Sequence, residues 1–266
     1  MAYFKDKVVW VTGASSGIGE ALTYELSKRG ARLVLSARRK EALEKVKGNC
    51  ASSAQSNIKI LPLDLAAADT LKLSVEAAIQ SFGRIDVLIN NGGISQRGLA
   101  IETSLEVDRR IMEVNYFGAI ALTKYLLPHL IQQKSGHFAV ISSLTGKFGT
   151  PFRSGYAAAK HALHGFFDSL RAELWKNNIK VTLIAPGFIQ TTISVSALTG
   201  DGTQLNKMDD AQSNGMPVAK AARQIANAIA SRKNEVYIGG KETLGVHIKR
   251  FFPGFFSRMI RNAKVR

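Results

Sequence analysis

Tyr156 and Lys160 have side chains that could move a proton together. They lie in an alanine-rich run that favours a helix, Gly155-Tyr156-Ala157-Ala158-Ala159-Lys160. Side chains at positions i and i+4 share a helix face, so the phenol and the ammonium can point into one site. A neighbouring cation favours the phenolate and lowers its pKa from about 10. The pair could then act on a reacting oxygen. A half-buried tyrosine beside a solvated lysine is the alternative.

A glycine-rich turn lies near the start of the chain, between an apolar run at residues 8–11 and a predicted helix at residues 20–29. The turn reads Thr12-Gly13-Ala14-Ser15-Ser16-Gly17-Ile18-Gly19. Glycines let the backbone approach a pyrophosphate, and a helix N-terminus offers free N–H groups to its charge. The spacing Gly-x-x-x-Gly-x-Gly differs from the G-x-G-x-x-G fingerprint. A purely structural turn is therefore the alternative to a dinucleotide site.

Three cations follow the second predicted strand, residues 33–36. The chain continues Ala37-Arg38-Arg39-Lys40, with no acid before Glu41. At this point of a dinucleotide fold a carboxylate binds the ribose 2′-OH of NAD, whereas arginine accommodates the 2′-phosphate of NADP. The sequence thus predicts NADP(H), with Arg38 as the first contact and Arg39 as the second. The alternative is that these cations only begin a solvated helix.

The elements that must position these residues alternate along the chain. Further strands are predicted at 58–63, 85–90, 137–141, 179–184 and 235–238, and helices at 41–53, 66–82, 105–133 and 218–231. This alternation predicts a single α/β domain of the Rossmann type, a doubly wound parallel sheet of about seven strands with helices on both faces. Residues 188–217 have little periodicity and are predicted to form a substrate lid. We assign residues 1–240 to the catalytic domain and residues 241–266 to a C-terminal extension.

Composition limits the class of protein. A chain of 266 residues with 45% hydrophobic residues suits one large domain. Its single cysteine, Cys50, excludes an intrachain disulfide, and no apolar run is long enough to predict a membrane span. The net charge of +16 is spread along the chain, which favours attraction to anionic ligands over nucleic-acid binding. We expect a cytoplasmic protein without a metal site or a nucleic-acid partner.

Several motifs occur together in one order. They are Thr12-Gly13 to Gly19, Asp64-Leu65, Asn90-Asn91-Gly92-Gly93, Asn115, Ser143, Tyr156 with Lys160, and Pro186-Gly187. Over residues 7–238 the chain thereby resembles the short-chain dehydrogenase/reductase family. The stretches at residues 90–97 and 156–167 look like its DHRS7-type and 11β-hydroxysteroid-dehydrogenase-like branch. Gly92 departs from the frequent Asn-Asn-Ala-Gly, and we expect this change to leave activity intact. Members of this branch often carry an N-terminal membrane anchor, which is not expected here.

The resemblance implies an NADP(H)-dependent oxidoreductase acting on carbonyl and alcohol groups. By similarity, Tyr156 is the general acid/base, and Lys160 lowers its pKa and binds the nicotinamide ribose. Ser143 hydrogen-bonds the substrate oxygen, and Asn115 anchors a water-linked proton relay. Turn-capping roles for Ser142 and Ser143, and a structural role for Asn115, are the alternatives.

Cofactor contacts follow from the same resemblance, and Asp64 could instead cap the next helix. The implied contacts are Gly13, Ser15, Ser16, Gly17, Ile18 and Gly19 at the pyrophosphate, Arg38 and Arg39 at the 2′-phosphate, Asp64, Leu65, Asn91 and Gly92 around the adenosine, and Tyr156, Lys160, Pro186, Gly187, Ile189 and Thr191 around the nicotinamide.

Aromatic and basic residues alternate in residues 247–261. Such a segment could pack on the substrate pocket or on a neighbouring subunit, lie at a membrane surface, or form a disordered tail. Phe148, Phe152 and the lid suggest an apolar substrate of steroid, retinoid, lipid or xenobiotic type. We expect a homodimer or homotetramer. Two other functions stay open: an NADP-binding sensor or scaffold without catalysis, and a basic protein that binds membranes or nucleic acid.

Overall fold

The structure, a computed structural model, describes residues 2–263 and contains one seven-stranded parallel sheet in the order β3-β2-β1-β4-β5-β6-β7. The strands are β1 (Val8–Thr12), β2 (Arg32–Ser36), β3 (Ile58–Ile60), β4 (Val87–Asn90), β5 (Gly136–Ile141), β6 (Ile179–Pro186) and β7 (Glu235–Ile238). This confirms the predicted doubly wound fold. Met1 and residues 264–266 of the predicted domain and extension lie outside the described residues.

The helices connect these strands and cover the sheet. They are α1 (Gly17–Lys28), α2 (Lys40–Gly48), α3 (Ser52–Gln55), α4 (Ala68–Gln80), α5 (Leu105–Met112), α6 (Gly118–Gln132), α7 (Ser154–Glu173), α8 (Asp210–Ser213), α9 (Val218–Ala230), α10 (Leu244–Phe251) and α11 (Pro253–Arg261). Short 3₁₀ turns occupy Leu144–Gly146 and Lys241–Thr243, and a π-helical turn, Glu113–Phe117, joins α5 to α6. Within residues 2–263 no helix has both the length and the apolar character that crossing a bilayer requires.

Each strand sends alternate side chains to opposite faces of the sheet. Val9 and Val11 of β1 pack with α1, α2 and α9, whereas Val8 and Trp10 pack with α4, α6 and α7. Because both faces are covered, the central strands are apolar at nearly every position. One hydrophobic core thus lies on each face of the sheet, and together they hold the strands in place.

The strand order reverses between β1 and β4, which are neighbours although β2 and β3 intervene in sequence. In such sheets ligands bind at this reversal, outside the carboxyl ends of the strands. The glycine-rich turn after β1 and the stretch after β4 meet at this crevice. The fold therefore brings the predicted cofactor residues to one edge.

The predicted bounds differ most from the structure in three elements. The predicted strand at 58–63 ends at Ile60, shortly before Pro62, which has no N–H for a strand ladder. The predicted helix at 41–53 ends at Gly48, a poor helix former, and resumes as α3. The predicted helix at 105–133 contains the π turn, in which Asn115 is buried.

Candidate active site

One cavity of about 1250 Å³ opens at the carboxyl ends of the strands. The lid segment (residues 188–217) and helices α10 and α11 contribute to its wall. Most predicted site residues line it: Gly13, Ser15, Ser16, Gly17, Ile18, Arg38, Arg39, Asp64, Leu65, Asn91, Gly92, Ser143, Tyr156, Lys160, Pro186, Gly187, Ile189 and Thr191. Gly19, Asn115 and the predicted pocket residue Phe152 are not among its lining residues, whereas Phe148 is.

The glycine-rich turn needs its glycines for two reasons. Gly13 and Gly17 have φ values of +64° and +57°, which L side chains rarely adopt. At Gly19 a Cβ would run into the carbonyl oxygen of Gly13, so the helix can close on the turn only with glycine there. This open backbone cradle at a helix N-terminus fits a dinucleotide pyrophosphate.

Asn91 braces the turn from the neighbouring strand. Its Nδ2 donates to the carbonyl oxygens of Thr12 at 2.9 Å and Gly13 at 3.2 Å. The Thr12 hydroxyl in turn accepts the N–H groups of Asn91 and Gly92, both at 3.0 Å. Asn91 therefore shapes the cradle besides lining the cavity.

The predicted adenosine side is open. Arg38 and Arg39 are exposed at the cavity wall, and α2 begins directly after them at Lys40. This position suits a 2′-phosphate, and it equally suits the start of a solvated helix, so NADP preference stays a prediction. Asp64 lines the cavity while its Oδ1 accepts the Ala66 N–H at 3.0 Å, a local turn just before α4.

Gly92 has a structural reason to differ from alanine. A Cβ added there would lie 2.6 Å from Cδ1 of Leu65. Leu65 thus occupies the space that an alanine methyl would take in this turn. With glycine in place of the frequent alanine, the backbone of this turn and Leu65 fit together without a clash.

Ser143 and Tyr156 meet at the end of β5 and the first turn of α7. Burial raises the pKa of Tyr156, and a hydrogen bond with Ser143 is one of the effects that counter this rise. The Ser143 Oγ also accepts the Thr145 N–H at 3.2 Å, which caps a 3₁₀ turn. Ser142 donates to the carbonyl oxygen of Lys160 at 3.3 Å. Ser143 therefore caps the 3₁₀ turn and also lies beside Tyr156, whereas Ser142 binds the backbone of α7.

Lys160 is buried below the tyrosine. Its Nζ donates to the Ile141 carbonyl oxygen at 2.9 Å and lies 5.6 Å from the centroid of the Tyr156 ring. Burial lowers the pKa of Lys160 to about 8. The pKa of Lys160 is therefore much closer to neutral pH than the pKa of a solvated lysine.

Asn115 makes a reciprocal pair with one backbone unit. Its Oδ1 accepts the N–H of Ile94, and its Nδ2 donates to the Ile94 carbonyl oxygen, both at 2.8 Å. The π turn thus ties α5 and α6 to the stretch after β4. These bonds give Asn115 a structural role, and the proton relay stays a prediction.

Two buried arginines act on the charge of Tyr156. Burial raises the pKa of Tyr156, and the cations that counter this effect are first Arg153 and then Arg97. The Lys160 ammonium is directed to a backbone carbonyl, and its predicted lowering of the Tyr156 pKa stays a prediction. The sequence interpretation assigned no role to either arginine.

Arg97, Arg153 and Asp209 form a buried charge cluster at the cavity wall. Their side chains are 2%, 8% and 3% exposed, and Asp209 Oδ2 lies 2.5 Å from Nη2 of Arg97 and 3.4 Å from Nη2 of Arg153. Two guanidinium groups share one carboxylate, so the cluster keeps positive charge beside the phenol. Asp209 belongs to the lid segment, which the cluster fastens to the body of the protein.

Backbone contacts fasten the lid as well. Leu198 donates its N–H to the Ser95 carbonyl oxygen at 2.9 Å and accepts the Arg97 N–H at 2.8 Å. Gly200 accepts the Ser104 N–H at 2.9 Å. The segment predicted to be a lid is thus held against the cavity along much of its length.

Residues 7–201 match the model of the short chain dehydrogenase family. The chain belongs to this family.

Two curated relatives cover most of this family member. Dehydrogenase/reductase SDR family member 7B of Mus musculus is 42% identical over 263 residues, which are 97% of this chain and 81% of the relative. Dehydrogenase/reductase SDR family member 7 of Homo sapiens is 45% identical over 253 residues, 93% of this chain and 75% of the relative. These relatives confirm the predicted branch of the family.

Solved structures of the family have the same fold. ElxO with NADP bound is 26% identical, with a TM-score of 0.75 over 90% of this chain and 99% of that chain. A family member from Burkholderia phymatum in complex with NAD is 21% identical, with a TM-score of 0.83 over 96% of each chain. Members of this family are oxidoreductases that act on CH–OH and C=O groups with a nicotinamide cofactor.

Gln96 is a further residue that the sequence interpretation missed in this family member. Its Oε1 accepts the N–H groups of Gly155 at 2.9 Å and Tyr156 at 3.2 Å. These are N–H groups of the first turn of α7, which lack partners within the helix. Gln96 therefore holds the helix end that carries Tyr156. For Arg153 the sequence did contain a signal. Arg153 is a cation at the N-terminus of the predicted Tyr156 helix, where the macrodipole disfavours positive charge, and such a position indicates a functional role.

Proposed function

We propose that this protein is an NADP(H)-dependent oxidoreductase that interconverts a carbonyl group and a secondary alcohol on an apolar substrate. One observation carries the proposal: a single cavity contains the glycine cradle after β1 and the Tyr156–Ser143 pair, with Lys160 buried beneath it. A hydride carrier in the cradle and a substrate oxygen at the phenol would share that cavity.

The residues present fit the cofactor. The cradle around Gly13 and Gly17 would hold the pyrophosphate, and Arg38 would hold the 2′-phosphate. The bound cofactor supplies or accepts the hydride. The structural relatives with NADP and with NAD support a nicotinamide dinucleotide of either kind. The cations after β2 favour NADP over NAD.

The side chains of this chain handle the proton. In reduction the Tyr156 phenol donates its proton to the carbonyl oxygen, which becomes the alcohol once the carbon has received hydride. In oxidation the phenolate accepts the alcohol proton. The Ser143 hydroxyl donates a hydrogen bond to the same oxygen, and this bond strengthens as negative charge develops. In both directions of the reaction, Arg153 and Arg97 stabilise the phenolate form of Tyr156.

Large apolar side chains form part of the substrate side of the cavity. Phe148, Phe188, Ile193, Leu198, Phe256 and Met259 line it. Such a wall buries a large hydrophobic body and leaves the carbonyl at Tyr156 as the polar contact. This composition supports a steroid-, retinoid-, lipid- or xenobiotic-like substrate.

A comparison of wild type with Tyr156→Phe tests the proposal. We expect NADPH oxidation with a panel of apolar aldehydes and ketones, and a fall in turnover of about 10²–10⁴-fold in the variant. NADPH affinity, followed by nicotinamide fluorescence, should be retained. Tyr125→Phe, which changes an exposed tyrosine of α6, is the matched control.

Three results would contradict parts of the proposal. Full activity of Tyr156→Phe would remove the phenol as the proton donor. Tight NADPH binding by the wild type without turnover on the whole panel would favour a sensor or scaffold. A clear preference for NADH in parallel assays would overturn the role of Arg38.

A further inference from the structure

Helices α10 and α11, named here the C-terminal hairpin, carry a cluster of large exposed apolar side chains. Leu244 is 57% exposed, Phe251 69%, Phe252 65%, Phe255 63% and Met259 41%. A single exposed phenylalanine is common on protein surfaces. A contiguous group on one short element instead indicates an interaction surface.

The hairpin is anchored to the body of the protein through other residues. Phe256 is buried, with its ring centroid 5.0 Å from that of Phe148. Lys249 Nζ donates to the Lys147 carbonyl oxygen at 2.9 Å, and Glu242, just before α10, accepts the Phe188 N–H at 3.1 Å. The exposed phenylalanines are thus free of a packing role and are presented on a fixed support.

The charge of the hairpin has one sign. Residues 244–261 contain Lys249, Arg250, Arg258 and Arg261 and no aspartate or glutamate. The whole chain has 36 lysines and arginines against 20 acids. Two copies that met through this surface would place like charges together, whereas an anionic surface would complement them.

The hairpin also borders the cavity. Ile248, Phe256, Met259 and Ile260 line the same cavity as Tyr156, and Met259 is 41% exposed. The cavity rim and the apolar surface are therefore parts of one structure. An apolar molecule that left a lipid layer at the hairpin would reach the cavity without crossing bulk water.

We propose that the C-terminal hairpin docks this protein onto an anionic phospholipid bilayer, with Phe251, Phe252 and Phe255 in the acyl–headgroup boundary and the cations at the lipid headgroups. Short amphipathic helices with aromatic and basic residues lie in this interface and do not span it. Outward phenyl rings distinguish this surface from a site for double-stranded DNA, where cations contact phosphates. The docking stands on the hairpin alone and does not depend on the proposed reaction.

Vesicle flotation with the full chain tests the proposal. We expect the protein to float with phosphatidylcholine vesicles that contain phosphatidylserine, and to bind much less to vesicles of phosphatidylcholine alone. The triple variant Phe251→Ser, Phe252→Ser, Phe255→Ser should bind at least about tenfold more weakly. The control Leu73→Ser, Ile101→Ser, Trp175→Ser, which removes exposed apolar side chains elsewhere, should bind like the wild type.

The charges are tested separately. Arg250→Gln, Arg258→Gln and Arg261→Gln should each weaken binding by about fivefold at low salt, and added salt should reduce the wild-type affinity. Lys45→Gln, Lys72→Gln and Lys220→Gln, all exposed on other helices, are the control. A uniform effect of both sets would show that only the net charge matters and would overturn the assignment to the hairpin.

A fluorescent probe gives a readout that does not require loss of binding. In a Trp175→Phe background the remaining native tryptophan, Trp10, is buried in the sheet. Phe255→Trp should then be quenched by brominated phospholipids. Absence of quenching, or of wild-type flotation, would sink the proposal. A fall in oligomeric state of the triple serine variant, without vesicle binding by the wild type, would instead identify this surface as a contact between copies.

Discussion

The cofactor side and the substrate side of the cavity are built in different ways. On the cofactor side, backbone turns at the ends of β1 and β4 form the wall, and glycines set their shape. On the substrate side, the lid and the C-terminal hairpin are held by side chains such as Asp209 and Phe256. The first construction is local in sequence, whereas the second depends on contacts between distant segments.

The energetics of the two sides differ accordingly. A backbone turn tolerates little change, since a misplaced methyl meets atoms that cannot move away. A buried ion cluster is costly to assemble, and removal of one partner leaves the others as uncompensated charges. Mutations on the cofactor side should therefore change mainly cofactor affinity. Mutations on the substrate side should change mainly stability and the pH dependence of activity.

The largest effect is expected for Asp209→Asn. It leaves Arg97 and Arg153 buried without their carboxylate, at a cost of about 3–5 kcal/mol in the free energy of unfolding. A fall in Tm of roughly 10 °C should accompany it. Asp168→Asn is the control, because its ion pair with Arg171 is exposed and worth less than about 1 kcal/mol. Equal Tm values for the two variants would contradict the buried cluster.

Gly19→Ala should act next, and on the cofactor side. The new methyl would meet the Gly13 carbonyl oxygen, and strain of about 3 kcal/mol corresponds to a loss of NADPH affinity of about two orders of magnitude. Gly165→Ala, where no atom lies within 4 Å of the added Cβ, should leave affinity unchanged in the same fluorescence titration. If NADPH binding survives Gly19→Ala, the cradle is not the cofactor site.

Arg153→Met should shift the pH profile. Burial already raises the pKa of Tyr156, and loss of the Arg153 cation raises it further. The alkaline limb of the reduction profile therefore moves to higher pH. Alcohol oxidation needs the phenolate and should fall at neutral pH. Reduction needs the phenol and should persist to higher pH. Arg153→Lys keeps the charge, and a profile equal to that of Arg153→Met would assign the effect to packing.

The smallest effect is expected for Gly92→Ala. The atom nearest to its methyl is Cδ1 of Leu65 at 2.6 Å, the end of a flexible side chain that can move aside, and the next atoms lie at 3.4 Å or more. NADPH affinity should change by less than about threefold, with a stability cost under about 1 kcal/mol. A loss as large as that of Gly19→Ala would show that the turn after β4 is as rigid as the cradle.

The cofactor side could be predicted from the sequence because its signals are local. The turn at residues 12–19 lies between a strand and a helix, and each glycine has a nearby reason. The Tyr156 and Lys160 spacing was equally readable, since the helix period places both side chains on one face. The seven strands followed from their apolar runs.

The substrate side could not be predicted in the same way. Asp209 lies 112 residues after Arg97 and 56 after Arg153, within a segment that has no periodicity. No pattern in the sequence pairs Asp209 with either arginine, so this ion cluster beside Tyr156 appears only in the folded chain. The hairpin had two usable signals: the aromatic and basic residues of 247–261, and Pro253 at the start of α11, a residue typical of a first helical turn.

The π-helical turn Glu113–Phe117 has a consequence for how this region can vary in length. Each residue advances an α-helix by about 100°, and a π turn holds one residue more than an α turn. The extra residue sets the rotation of α6 relative to α5 about the helix axis. Val107 and Ile111 of α5 pack beside Ala159 of α7. Leu122 and Leu126 of α6 face the sheet. A deletion of one residue here would barely alter composition, yet it would rotate the apolar face of α6 away from the core. This stretch therefore tolerates exchange of residues far better than a change in their number.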